Sequence, residues 1–304
     1  MKTLIALTFI TSLFTLSVHA GVDVPSYELN HIKSKDGVAL VYESFGNEAG
    51  KPVVLVHAWS QSTLGWLPLL QNEPFLEKYH VISLNLRGHG GSNKPIQDDA
   101  YDNAQVWADD LDTLINQLDA DDVTLVGWSY GTIAIADYVS KYGDKKLHAI
   151  NFVAGLSGLN VPRISHYFGD AFNPVPVITE DALAESVNIA SIVDIMVPAS
   201  LDKETYAALI ASNMQTSATA RGAMLNRQID HKLTYQNISV PVLFSHGAKD
   251  NAVKLIAAQE GLGFVKNGRL SVYEDANHGP HWFEPERFAQ ELDHLITTGN
   301  NAQY

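Results

Sequence analysis

Short, almost unbroken apolar runs recur along this chain with helical stretches between them, and this rhythm restricts its fold more than any other feature. The runs at 53–56, 81–86, 123–126 and 147–153 are four to seven residues long and rich in Val, Ile and Leu. Strands of a parallel sheet, covered on both faces, read this way, whereas half-exposed strands alternate. Between them, 64–79, 101–118 and 129–142 have the length and spacing of helices. Ahead of the first run, 27–34 and 38–44 do alternate, and Lys35-Asp36-Gly37 joins them as a hairpin turn. The reading is an α/β fold, a mostly parallel doubly wound sheet entered through an N-terminal antiparallel hairpin.

After Val153 the rhythm breaks. No strand is legible from about 158 to 236, while 182–196 and 204–214 carry apolar side chains at helical spacing, among them Ile192, Ile195, Met196, Leu209 and Met214. Winding resumes at 240–244, 255–260 and 270–273, with a last helix over 284–296 and a frayed tail from 297. The chain therefore reads as one core, 21–157 with 216–304, carrying a helical cap at 158–215. Tyr167, Phe168, Phe172, Ile192, Ile195 and Met196 are the candidates to face the space beneath the cap.

The first twenty residues stand apart. Lys2 precedes an uncharged apolar run at 4–16, and Val18 and Ala20 occupy the −3 and −1 positions of a cleavage site. The run is shorter than the ~20 residues that a span requires. A signal peptide cut after Ala20 is expected, giving a secreted or periplasmic product with no stable membrane anchor. With 20 Lys and Arg against 34 Asp and Glu, the formal charge of −14 repels nucleic acid. The absence of cysteine excludes disulfides, thiolate metal sites and a cysteine nucleophile.

Gly127-Trp128-Ser129-Tyr130-Gly131 lies directly after the run 123–126 and directly before a helical stretch. In a sharp strand-to-helix turn the serine is forced into a strained conformation, and the flanking glycines avoid collisions with nearby backbone. A serine nucleophile needs a base and an orienting carboxylate. Asp250 follows the strand 240–244 and His278 follows 270–273, so both sit at carboxyl ends of strands, where open α/β sheets bind ligands. His57, His89 and His246 also follow strands and are read as loop-holding groups. Asp275 is the alternative carboxylate, and His281 lies close enough to His278 to be mistaken for the base.

Together with 53–59 (VVLVHAW), 84–92 (LNLRGHGGS), 245–250 and His278 with Pro280, this elbow resembles the serine-dependent α/β-hydrolase superfamily over 27–296, nearest its capped esterase, lactonase and perhydrolase-like branch. The resemblance implies Ser129 as nucleophile, His278 as base, Asp250 as orienting acid, and the backbone N–H groups of Trp59 and Tyr130 as oxyanion hole. It implies no metal and no cofactor, with a small-molecule ester or lactone as substrate. Cofactor-free perhydrolysis and a non-catalytic ligand-binding scaffold are the alternatives. Two positions depart from the family pattern. Ala58 replaces glycine, so a positive φ there would strain its β-carbon, and Asn85 replaces an aspartate that anchors a loop. Oligomeric state is not legible.

Overall fold

The computed structural model describes residues 21–155, 164–172 and 181–300. The stretch 1–20 read as a leader, much of the first part of the stretch read as a cap, the side chain of Phe172 and the last four residues lie outside them. Eight strands form one sheet among the described residues: β1 (Glu28–Lys33), β2 (Ala39–Gly46), β3 (Lys51–Val56), β4 (Tyr79–Asn85), β5 (Val123–Trp128), β6 (Leu147–Val153), β7 (Val242–Gly247) and β8 (Gly268–Tyr273). Their order is β1-β2-β4-β3-β5-β6-β7-β8. The hairpin β1–β2 joins the sheet antiparallel to β4, and every other pairing is parallel. Strands β5 and β7 are buried at every position, as their continuous apolar runs require.

The helices are α1 (Leu67–Leu70), α2 (Glu73–Lys78), α3 (Ala104–Gln117), α4 (Tyr130–Tyr142), α5 (Ile164–Tyr167), α6 (Ala182–Asp194), α7 (Lys203–Met214), α8 (Ala218–Leu225), α9 (Lys232–Asn237), α10 (Ile256–Leu262), α11 (Pro280–Phe283) and α12 (Pro285–Thr298). The stretch read as one helix over 64–79 is broken. Asn72 accepts the Phe75 N–H as an N-cap, and Pro74 sits in the first turn of α2, where a proline starts a helix but cannot continue one. The start of the tail departs from its reading as frayed: α12 reaches Thr298, and Asn300 donates to the carbonyls of Val242 and Asn267.

Between β6 and β7 the described chain is helical, from α5 through α9. Ile189, Ile192 and Val193 of α6 and Leu209 of α7 belong to the same buried cluster as the sheet, so these helices pack on the core directly. No helix among the described residues is long and apolar enough to cross a membrane.

Candidate active site

Ser129 stands at the N-terminus of α4 with φ 52° and ψ −112°, a conformation a residue with a β-carbon adopts only under constraint. A hydrogen bond and tight backbone packing surround it. The Ser129 N–H donates to the Val153 carbonyl at 2.8 Å, and a β-carbon on Gly131 would collide with the Val56 carbonyl. Tyr130 follows as the first helical residue, so its N–H is among those that a helix start leaves without an intrahelical acceptor.

Asp250 and His278, 28 residues apart in sequence, meet at the ends of β7 and β8. Asp250 Oδ2 accepts His278 Nδ1–H at 2.9 Å, and Oδ1 accepts the backbone N–H groups of Ala252 and Val253 at 2.8 and 2.9 Å. Burial pushes the Asp250 carboxyl up, but His278 and His246 outweigh it and hold it well below the usual carboxylate range. A carboxylate only accepts, so Nδ1 carries the imidazole proton and Nε2 is left as the acceptor. That Nε2 is buried and has no hydrogen-bond partner among the described residues. Trp128, directly before the serine, donates its indole N–H to the His278 carbonyl at 2.8 Å and ties the two loops together. Asp275 is elsewhere: it is exposed and pairs with Lys249 at 2.6 Å.

The other histidines are occupied. His57 donates Nδ1–H to the Ala58 carbonyl at 2.8 Å and accepts the Leu86 N–H on Nε2 at 3.0 Å. Burial pushes it down to about 4. His89 bridges the Arg87 carbonyl and the Ser60 N–H in the same way, also held well below its ordinary value by burial. His246 donates to the Val253 carbonyl at 2.8 Å and lies 3.3 Å from Asp250 Oδ2. His281 donates to the Gly65 carbonyl at 2.9 Å, and burial pushes it down to about 3.

The loop carrying Trp59 departs from expectation. Ala58 does not take a positive φ; Ser60 does, at 62°. Asn85 serves loop anchoring, its carbonyl accepting Ser92 Oγ and its side chain filling the space that a β-carbon on Gly90 would need.

Residues of the turn after α6, in the segment between β6 and β7, reach this site. The Ile195 carbonyl accepts the His278 N–H at 3.0 Å, and Met196 Sδ accepts Gln61 Nε2–H at 3.1 Å. Tyr167 instead packs with Val253 and Ala257 and donates to Glu260, and Phe168 bridges to Val253. A cleft of about 640 Å³ opens between α7 and the loop at 62–64, and its walls include none of Ser129, Asp250 and His278. Sequence reading passed over the buried Arg221, Arg227, Glu185, Asp137 and Asn213. The one signal for them was an arginine set among the small apolar residues of α8.

A family described as alpha/beta hydrolase fold matches residues 51–285. The chain is 27% identical over 267 residues to the non-heme chloroperoxidase CPO-A1 of Kitasatospora aureofaciens, covering 81% of this chain and 90% of that protein. It is 25% identical over 276 residues to the bifunctional esterase/perhydrolase DCH of Acinetobacter calcoaceticus, covering 87% and 98%. The solved esterase RhEst1 from Rhodococcus sp. ECU1013 is similar with a TM-score of 0.82 and 27% identity, over 89% of this chain and 99% of that one.

Proposed function

Because the chain belongs to the alpha/beta hydrolase fold family, we propose that it hydrolyses carboxylic esters, lactones included, through an acyl-serine intermediate. The observation that carries this reading is the buried, unpartnered Nε2 of His278, oriented by Asp250, at the same end of the sheet as the strained Ser129 elbow. Ser129 Oγ attacks the carbonyl carbon as its proton passes to His278 Nε2. The developing oxyanion takes hydrogen bonds from the N–H groups of Trp59 and Tyr130. Collapse expels the alcohol, which receives the proton from His278, and water then cleaves the acyl-serine by the same steps in reverse order of partners. Ser129 does not hydrogen-bond His278 Nε2 in this structure; on this reading the contact forms with substrate, as is common for such pairs.

A second reading uses the same intermediate with hydrogen peroxide in place of water, giving a peracid; the likeness to the esterase/perhydrolase favours it. The test is turnover of p-nitrophenyl butyrate together with labelling by a fluorophosphonate. We expect hydrolysis that the reagent abolishes, with the label mapped to Ser129. Turnover without label on Ser129 would overturn the mechanism, and peracid formed from peroxide and acetate would support the second reading. We also assign the mature chain, starting at Gly21, to a compartment outside the cytoplasm, on the leader pattern at 1–20.

A further inference from the structure

Resting on that reading, we propose that Arg221 and Arg227, two buried arginines on the segment returning from the cap, are positioning residues that hold the two oxyanion-hole donors from opposite sides. Neither touches the reacting atoms; Arg227 bonds the side chain of the residue that presents one donor, while Arg221 bonds Trp59 through its main-chain carbonyl and the adjacent Ser60 through its guanidinium.

On the Trp59 side, the Arg221 carbonyl accepts the Trp59 indole N–H at 3.1 Å, and its Nη1 donates to Ser60 Oγ at 3.3 Å and to the Asn213 carbonyl at 3.2 Å. Its Nη2 pairs with Glu185 of α6. Ser60 is held at every polar atom: its N–H donates to His89, its hydroxyl to the Asn213 carbonyl, and its carbonyl accepts Thr216 Oγ1–H. A non-glycine residue at φ 62° persists only where its surroundings over-determine it, and here Asn213, Thr216 and Arg221 supply most of them.

On the other side, Arg227 Nη1 donates to the Tyr130 hydroxyl at 2.9 Å and Nη2 to Asp137 Oδ2 at 2.7 Å. The guanidinium lies 5.8 Å from the Tyr130 ring centre and 5.9 Å from that of Trp107. Asp137 lies two turns along α4 from Tyr130, so one planar group spans the start of the helix that presents the donor. His231 closes the arrangement on Asp137 Oδ1 at 2.8 Å.

Arg221, Arg227, Asp137 and Glu185 are 1%, 5%, 2% and 9% exposed. Buried ion pairs add little stability over apolar residues of the same volume. Their distinctive property is geometric, because the guanidinium fork bonds a carboxylate and a second acceptor at fixed angles. Donors in an oxyanion hole must be placed to within a few tenths of an ångström.

The test measures kcat and KM for p-nitrophenyl butyrate, the rate of fluorophosphonate labelling and thermal stability. The variants are Tyr130→Phe, Ser60→Ala, Arg227→Met with Asp137→Asn, and Arg221→Met with Glu185→Gln. Changing both partners avoids stranding a buried charge. Each pair variant is expected to lower kcat and the labelling rate about tenfold with KM within about twofold, since a displaced donor loses part of what a deleted one would. Adding Tyr130→Phe to the Arg227 pair should cause no further loss, because both remove the same bond, while the two pairs combined should multiply. If kcat and labelling stay within about twofold of wild type while the melting temperature falls, the arginines only fasten the cap and the inference is overturned. Should a pair variant fail to fold, Tyr130→Phe decides the Arg227 half and Ser60→Ala the Arg221 half, since each removes one hydroxyl. A wild type with neither turnover nor labelling overturns the ester reading along with this inference; an active wild type with unchanged variants overturns this inference alone.

Discussion

Among the described residues, two buried aspartate–histidine hydrogen bonds are nearly alike, Asp250 with His278 at 2.9 Å and Asp137 with His231 at 2.8 Å. Both carboxylates are shut off from solvent, and in each imidazole the second nitrogen has no hydrogen-bond partner among the described residues. The difference lies in what else the carboxylate holds. Asp137 faces the Arg227 guanidinium, which cancels its charge. Asp250 takes two neutral backbone N–H groups and a second imidazole, so its charge stays available to an imidazolium at His278. Position differs as well: Asp250 and His278 lie at strand ends beside the serine elbow, Asp137 on the flank of α4. An Asp–His contact is thus not in itself a base; on the proposed reading it becomes one only where the charge is left uncancelled and a nucleophile can approach.

The comparison breaks most decisively at the serine. Ser129→Ala should lower kcat by roughly four to six orders of magnitude without unfolding the chain, and His278→Ala by a similar factor, because members of such a unit act together. A Ser129→Ala protein with a tenth of the original activity would end the assignment. His231→Ala is expected to stay within about tenfold of wild type, since its ring reaches the reaction only through Tyr130.

Next come the two carboxylates. Asp250→Asn should cost about two to four orders of magnitude in kcat, while Asp137→Asn costs no more than about tenfold. The ranking should reverse in stability for Asp137→Asn, whose melting temperature is expected to fall by about 5–10 °C because Arg227 is left buried without its counter-charge. Scanning calorimetry beside steady-state kinetics reads both. Equal kinetic losses at the two sites would show that the guanidinium does not separate them.

Histidines with no carboxylate sharpen the contrast through pH. Burial holds folded His57 down at about 4 and His281 at about 3, while in an unfolded chain each protonates near 6.5. Between those values the unfolded state binds more protons, so stability falls as pH drops from about 6.5 toward 4, and His57 alone accounts for about 3 kcal/mol. Asp250, held below the usual carboxylate range, adds stability that is lost only as pH falls below about 4. Urea midpoints at pH 7, 5.5 and 4 should decline in that order, and a flat series would contradict the neutral, buried histidines.

The smallest effect is in acyl-chain preference. If the apolar end of the cap bounds the acyl site, kcat/KM should rise by a few-fold per added methylene and then drop, each buried methylene contributing about 0.8 kcal/mol until the space is full. A series of p-nitrophenyl esters from two to sixteen carbons reads this, and a maximum at the longest chain would show that the cap leaves the acyl site open.

Much of this was legible in the residues themselves. The runs at 123–126 and 240–244, the elbow glycines and the hairpin turn at 35–37 encode their structure within about ten residues, because pleat, helix period and turn chemistry are local properties. Ser129, Asp250 and His278 could be singled out for that reason: each follows a strand, buried throughout for β5 and β7 and half-buried for the edge strand β8. The choice of Asp250 over Asp275 was not local. It was made when the ends of β7 and β8 came together and carried Lys249 with Asp275 out to the surface. The same holds for Arg221 with Glu185 and Arg227 with Asp137, 36 and 90 residues apart, and for the positive φ at Ser60, which is held by Asn213, Thr216 and Arg221 more than 150 positions away. A charge in a sequence carries no mark of its partner. Only packing, which removes the water that would otherwise solvate it, decides which group it must find.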